Sequence, residues 1–163
     1  MGNLASTYKK LGQLEKAEML ETQTLKLLRE VLGEYHPNTL ISINRLALIY
    51  KELGQLEKAE MLETETLKLH RKVLGEYHPS TLISMGNLTS TYKKLGQLEK
   101  AVVLEIETLK LHREMLGECH SDTLISISNL VLTYKKLGQM KEVEMLEEEM
   151  FELHRKALGQ DIV

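Results

Sequence analysis

Histidines and glutamates are the residues of this chain whose types and spacing could do chemistry. Imidazole nitrogens bind zinc and act as general bases, and paired carboxylates can share acid and base roles. The six histidines fall into two sets that recur every 42 residues: His36, His78 and His120, and then His70, His112 and His154. The glutamates recur at the same step, as in the run Glu57, Glu60, Glu63 and Glu65. A metal centre and a carboxylate pair are therefore the first hypotheses.

The repeat spacing itself argues against both hypotheses. Packed helical units stand roughly 10 Å apart, whereas zinc ligands lie about 2 Å from the metal, so histidines of separate units cannot share one ion. The glutamates alternate with Lys58 and Lys68, which is typical of a solvated helix face with local ion pairs. Catalysis needs one asymmetric site whose titratable groups have perturbed pKa values, whereas a repeat offers several equivalent sites. We therefore expect no catalytic residue, no cofactor and no metal, and expect each turn histidine to close its turn.

The composition narrows the class of protein further. The 163 residues are 42% hydrophobic and 28% charged, with a net charge of −3. This is typical of a soluble globular protein without a general attraction for nucleic acid. No apolar run approaches the roughly 20 residues of a membrane span. The single cysteine, Cys119, excludes a disulfide framework and favours a reducing compartment, so we expect a cytoplasmic protein that binds neither membrane nor nucleic acid.

The elements that carry these residues form an internal repeat. The stretch "LGQLEKAEMLETETLKLHRKVLGEYHPSTLIS", which runs from Leu53 to Ser84, is nearly repeated from Leu11 to Ser42 and again from Leu95 to Ser126. Two glycine series keep the same 42-residue step: Gly12, Gly54, Gly96 and Gly138, and then Gly33, Gly75, Gly117 and Gly159. Self-similarity of this kind predicts a solenoid or array.

Each repeat predicts two helices. In the third repeat a buried stripe of the first helix is predicted by helical spacing at Thr81, Met85, Leu88, Tyr92 and Leu95. The first helices are expected to start at the N-cap residues Asn38, Ser80 and Asp122, with Pro37 and Pro79 just outside the helix. They are expected to end at a glycine such as Gly96.

The second helix of this repeat is predicted from Leu98 to about Leu116. Its apolar residues are Leu98, Ala101, Leu104, Leu109, Leu111 and Met115. The small residues Ala17, Ala59 and Ala101 mark a close approach between helices. Only about two residues separate the first and second helices, so the two must be antiparallel neighbours.

The predicted fold is therefore all-α, with about eight helices in four antiparallel pairs. The chain is treated as one array, 1–163, with units at about 1–32, 38–74, 80–116 and 122–158. The first unit is expected to lack the opening turn of its first helix, because Met1 aligns with Ile43 and Met85.

The repeat resembles the tetratricopeptide repeat (TPR). The pattern "NLxxxY…G…A" is carried by Asn87, Leu88, Tyr92, Gly96 and Ala101. The 42-residue period with "LGxxHPxTLxS" between units resembles the kinesin light chain subfamily, and is especially similar to the arrays that end fungal NACHT or NB-ARC (STAND-class) receptor-like proteins. The resemblance covers essentially the whole chain. It implies a right-handed α-solenoid and a non-catalytic scaffold for protein–protein interaction.

The resemblance also implies where a peptide binds. In the family, the first helix of each pair lines a concave groove, and peptide contacts come from the face opposite the buried stripe. The residues on that face, called the groove face below, are Asn3, Ser6, Lys10, Ile41, Arg45, Leu48, Glu52, Ile83, Asn87, Ser90, Lys94, Ile125, Asn129, Leu132 and Lys136.

The chemistry of the groove face favours a peptide or protein segment, especially an acidic one. Asparagine can donate to and accept from a peptide backbone, and Arg45 can pair with both oxygens of one carboxylate. Lys51, Lys93 and Lys135 flank the face and add positive charge. The alternative is that these are ordinary solvated residues and that the lysines only suit the end of a helix.

Several positions depart from the repeat. Arg45 replaces asparagine, Ser121 replaces proline, and Val143 replaces a small alanine, which is expected to loosen or reshape the last pair. Glu148 and Glu152 give the last helix a polar outer face, while Met150 and Phe151 keep one side apolar. An uncapped first unit predicts self-association through the ends. An alternative function is therefore that of a fragment or remnant of a larger STAND-type or kinesin light chain-like protein that mainly self-associates.

Overall fold

The helices follow the sequence repeat closely. The computed structural model describes the backbone of residues 2–157 and the side chains of residues 5–156. This range contains eight helices and no strand, as the sequence predicted: α1 (Gly2–Lys10), α2 (Leu14–Leu32), α3 (Pro37–Glu52), α4 (Leu56–Leu74), α5 (Pro79–Lys94), α6 (Leu98–Leu116), α7 (Ser121–Leu137) and α8 (Met140–Ala157). Residue 158, the predicted end of the last unit, lies outside the described range.

The chain forms two compact units, residues 1–95 and residues 96–163. In the first unit, α1 packs on α2, α2 on α3, α3 on α4 and α4 on α5. In the second unit, α6 packs on α7 and α7 packs on α8. The predicted arrangement of all 163 residues as one array stays a prediction.

Each unit has an apolar core built from the predicted stripes. In α5, Thr81, Met85 and Leu88 are buried, and Tyr92 and Leu95 are half-buried. The core of the first unit includes Leu25, Leu40, Ile43, Leu46 and Leu69. The core of the second unit includes Leu109, Ile127, Leu130, Val131, Val143 and Leu153. Burial of one such side chain stabilises the fold by about 1.5–3 kcal/mol.

The small residues that were predicted to allow a close approach between helices are fully buried. Ala17, Ala59 and Ala101 have no exposed surface. Val143, the larger residue at the same position of the last pair, is also buried. Met115 differs from the expected stripe, because it lies exposed in the last turn of α6 and the buried stripe ends at Leu111.

The helix starts correct the sequence-based prediction. The N-caps are His36, His78 and His120, and each Nδ1 atom accepts a hydrogen bond of 3.1–3.2 Å from the backbone N–H two residues later. Asn38, Ser80 and Asp122 are therefore inside the helices, not at the caps. Pro37 and Pro79 are the first helical residues, where proline fits because its fixed φ suits the helix and no N–H is needed.

Glycines end the helices, as predicted. Gly96 follows α5 with a φ of 73°, a left-handed conformation that costs glycine little. Gly75 ends α4 with a φ of 87°, and its carbonyl accepts a 2.7 Å hydrogen bond from the hydroxyl of Thr81. This bond ties the turn to the helix that follows it.

Candidate functional site

The groove face of the first unit combines large apolar and polar side chains. Ile41 and Ile83, one repeat apart, are both exposed. They line a cavity of about 440 Å³ together with Leu40, Asn44, Val73 and Leu74. Arg45 and Asn87 are half-buried, whereas Lys10, Leu48, Glu52, Ser90 and Lys94 are exposed and Ser6 is half-buried. The side chain of Asn3 lies outside the described residues.

The groove face of the second unit lies on α7. Its four residues, Ile125, Asn129, Leu132 and Lys136, are all exposed. Ile125 and Leu132 add apolar surface to this helix face. The sequence-based choice of residues thus falls on side chains that a partner can reach, and their role in binding stays a prediction.

A buried ion pair lies behind the groove face of the first unit. The ammonium of Lys51 is 2.9 Å from Oε1 of Glu63, and the Lys51 and Glu63 side chains are only 11% and 4% exposed. The hydroxyl of Thr91 donates to Oε2 of Glu63 over 2.6 Å. The expectation of a solvated glutamate face was therefore wrong for Glu63. Lys51 stabilises the fold here and adds little positive field to the groove.

The equivalent carboxyl group one repeat earlier has a different environment. Glu21 is 0% exposed. Its Oε1 accepts a 2.7 Å hydrogen bond from the Ser42 hydroxyl, but no described residue donates to its buried Oε2. Lys9, which corresponds to Lys51, forms a 2.9 Å ion pair with Glu52 instead. Ile49 stands where Thr91 stands one repeat later and has no hydroxyl to donate.

Glu21 lines a cavity of about 200 Å³, called the Glu21 cavity below. Its walls are formed by Ala5, Ser6, Lys9, Glu21, Arg45, Leu48 and Ile49. Three of these residues, Ser6, Arg45 and Leu48, belong to the predicted groove face. The structure thus brings part of that face together around a buried carboxyl group.

Sequence reasoning missed Glu21 and Ile49, although a signal was present. Glu21 follows the fully buried Ala17 by four residues, and residues four apart lie on the same helix face. That spacing indicates a buried glutamate. Ile49 replaces the threonine found at this position in the other three repeats, at Thr7, Thr91 and Thr133.

The histidines have structural roles in the described residues. Nδ1 of His70 lies 2.7 Å from the hydroxyl of Ser84, and His112 and Ser126 repeat the contact at 2.8 Å. Burial lowers the pKa of His70 below its usual value, an effect partly opposed by a hydrogen bond at the Ser80 backbone and reinforced by His78. Among the described residues, no three histidine, cysteine, aspartate or glutamate side chains are grouped as a metal ion would require.

Two further observations concern the single cysteine and the hydrophobicity of the helices. The thiol of Cys119 is exposed and unpaired. None of the helices within residues 2–157 combines the length and the apolar character needed to cross a bilayer.

Comparisons with known sequences identify the repeat. Models of the tetratricopeptide repeat match residues 1–71 and, in two further segments, residues 81–122 and 123–161. No protein of curated function matches the sequence significantly.

Solved structures share the fold. A crystal structure of nearly identical TPR-like repeats from a kinesin light chain-like protein of Podosopora anserina is 29% identical, with a TM-score of 0.83 over 96% of this chain and 74% of that one. BtubC (BKLC) from P. vanneervenii is 23% identical, with a TM-score of 0.76 over 98% of this chain and 63% of that one. The apo form of RapI is 16% identical, with a TM-score of 0.70 over 95% of this chain and 54% of that one. The last two similarities concern the fold alone.

Proposed function

Because the chain belongs to the tetratricopeptide repeat family, whose arrays are non-catalytic scaffolds for protein–protein interaction, we propose that it binds a peptide segment along its groove face. The observation that carries this proposal is the pair of exposed isoleucines, Ile41 and Ile83, beside a cavity of about 440 Å³. Exposed apolar surface with polar residues around it is typical of an interaction site. The second unit also exposes apolar side chains on its groove face, those of Ile125 and Leu132.

The bound segment is proposed to be acidic. In the first unit, Lys10, Arg45 and Lys94 lie on the groove face, and no described residue forms an ion pair with them. Arginine can hold a carboxylate with two parallel hydrogen bonds. Lys9 and Lys51 contribute less, because each is paired with a glutamate of this chain. We also propose a cytoplasmic location, since a free and exposed Cys119 suits a reducing compartment.

The proposal is tested by selection from a peptide display library. We expect the intact chain to enrich acidic peptides with apolar anchors, and a variant with Arg45→Ala, Asn87→Ala and Asn129→Ala to lose them. A control variant with Met61→Ala and Met145→Ala changes exposed residues of the second helices and should keep them. Circular dichroism checks that all variants stay folded. Peptides that bind the groove variant and the intact chain equally would contradict the proposal.

A second candidate function, self-association, is favoured by an open face on α2. Leu27 on α2 is 47% exposed, whereas Leu69, the same position on α4, is 9% exposed within the core of the first unit. Thr24, Leu27, Leu28, Val31 and Leu32 line an apolar cavity of about 340 Å³ on this face. Because Leu69 is covered by residues of α2 and α3, another helical pair of the same kind fits over Leu27.

Analytical ultracentrifugation at micromolar concentrations tests this second function. We expect concentration-dependent dimers that are lost on Leu27→Glu. Met61→Glu, which places the same charge at another exposed site, is the control and should leave them intact. A monomer at all concentrations would rule out self-association.

A further inference from the structure

One repeat of this chain departs from the others at a cluster of residues. Arg45, Ile49 and Glu52 lie on α3 at spacings of four and three residues, so they share one face of the helix. The other three repeats carry the same three residue types at these positions: Asn3, Thr7 and Lys10; Asn87, Thr91 and Lys94; and Asn129, Thr133 and Lys136. The second repeat therefore differs from the other three at this helix face, and two of the three residues, Arg45 and Ile49, line the Glu21 cavity.

Glu21, which adjoins these departures, has an unused acceptor. Glu63 receives one hydrogen bond from Thr91 and one from Lys51. At Glu21 the threonine is replaced by Ile49, and the lysine is drawn to Glu52. Oε2 of Glu21 is buried and has no donor among the described residues. A buried carboxylate oxygen without a hydrogen-bond donor destabilises the fold. A ligand that donates a hydrogen bond to this oxygen removes that cost and therefore binds favourably.

The size and charge of the Glu21 cavity limit what the ligand can be. Its volume of about 200 Å³ is several times the roughly 30 Å³ that one water occupies in the liquid. Arg45 lines the same cavity, so an incoming ammonium group would meet a like charge. A carboxylate that entered the cavity would meet Glu21, so the carboxylates of an acidic segment are expected to pair with the half-buried Arg45 from outside the cavity. A neutral group that both donates and accepts satisfies both side chains.

A primary carboxamide fits these requirements. Its NH₂ group donates and its carbonyl oxygen accepts, and both lie at the tip of one side chain. A trans peptide unit also has both functions, but they point in opposite directions, so it cannot present both to one end of a cavity. Lys9 and Arg45 have flexible stems, and their rotation can admit such a side chain. We propose that the Glu21 cavity binds the carboxamide of an asparagine or glutamine in a peptide partner, an inference that rests on peptide binding at the groove face.

The test uses short probes that carry no other primary amide. N-acetylated tripeptide N-methylamides of sequence Ala-Xaa-Ala, with Xaa as Gln, Met, Lys or Glu, are titrated into the methyl-labelled full chain by NMR. The methyl groups of Leu48 and Ile49 report on the cavity. We expect the Gln probe to bind about threefold to tenfold more tightly than the Met probe of similar shape, as one or two added hydrogen bonds predict.

The matched variant is Ile49→Thr, which restores the residue of the other repeats and gives Glu21 the donor that Thr91 gives Glu63. We expect it to stay folded and to remove the preference for Gln over Met, with Leu48 as the remaining methyl reporter. Glu52→Lys, which frees Lys9 to pair with Glu21, should remove the preference independently. A preference for Lys or Glu over Gln, or equal shifts with all four probes, would overturn the proposal.

The library selection separates this inference from the proposed function. Selected peptides that bind the groove face without enrichment of asparagine or glutamine, and that bind Ile49→Thr equally well, would remove the carboxamide subsite and leave the proposed function intact. If the library gives no groove-dependent peptide, the proposed function fails, and the probe titration still decides whether the cavity prefers a carboxamide.

Discussion

The Lys51–Glu63 ion pair gives a sharp prediction, because the chain contains its own control. Lys135 and Glu147 occupy the same two positions two repeats later and form the same contact at 2.6 Å. The side chains of Lys51 and Glu63 are 11% and 4% exposed, whereas those of Lys135 and Glu147 are both 46% exposed. The two pairs therefore differ mainly in burial. Lys51→Met and Lys135→Met each remove the ammonium group and keep an apolar stem of similar length.

The losses of stability that we expect for Lys51→Met and Lys135→Met differ severalfold. Removing one partner of a buried pair leaves an uncompensated buried charge and costs about 3–5 kcal/mol. Thr91 still donates to Oε2 of Glu63, so we expect about 3 kcal/mol for Lys51→Met. An exposed pair contributes about 0.2–1 kcal/mol, so Lys135→Met should cost at most about 1 kcal/mol.

Urea unfolding followed by circular dichroism measures both changes against the intact chain. The double variant Lys51→Met with Glu63→Gln is the further control. It removes the stranded charge and should recover part of the lost stability. Equal losses for the two lysine variants, or no recovery in the double variant, would refute the assignment of Lys51 to a buried structural pair.

Three further predictions concern other contacts of the fold. Burial lowers the pKa of His70, so as the pH falls the unfolded chain takes up the His70 proton at a higher pH than the folded chain does. The free energy of unfolding should therefore decrease as the pH drops below about 6.5, the ordinary pKa of histidine. Urea midpoints measured between pH 5 and 8 should show this decrease, and His70→Leu should weaken the pH dependence. His78→Ala removes a helix cap and should destabilise the fold by about 1 kcal/mol in the same assay; an unchanged midpoint would contradict the capping role. Glu52→Lys frees Lys9 to pair with Glu21 and should stabilise the fold by about 1 kcal/mol, which raises the thermal midpoint of a chain of this size by a few degrees. A lower midpoint would contradict that account of Glu21.

Local patterns were sufficient to predict the helices. The spacing of Thr81, Met85 and Leu88 identifies a buried face, and Gly96 and Gly75 mark helix ends, because each signal is carried within a few neighbouring residues. The N-caps were predicted wrongly for a local reason as well. Asn38, Ser80 and Asp122 are favourable cap residues, but Pro37 and Pro79 already occupy the first helical position, so the caps of α3 and α5 fall on the histidine before the proline. Helix α7 begins at Ser121 without a proline and is still capped by its histidine, His120, whose Nδ1 accepts from the N–H of Asp122.

Contacts between helices could be predicted only in part. The burial of Glu63 depends on Lys51 and Thr91, which are 12 and 28 residues away, so no short window of sequence shows the network. The spacing of four residues from Ala59 to Glu63 was an available sign of burial. The groove face was chosen from a family resemblance, and its binding role is decided by experiment with a partner.

Methyl NMR of the isoleucines with a library-selected peptide tests the central claim most directly. Ile41, Ile83 and Ile125 lie exposed on the groove face, whereas Ile106 is exposed on the second helix of its pair. Saturating peptide should shift the groove-face methyl groups and leave Ile106 unchanged. Shifts confined to Ile106, with Ile41, Ile83 and Ile125 unchanged, would contradict the account and place binding on the opposite face.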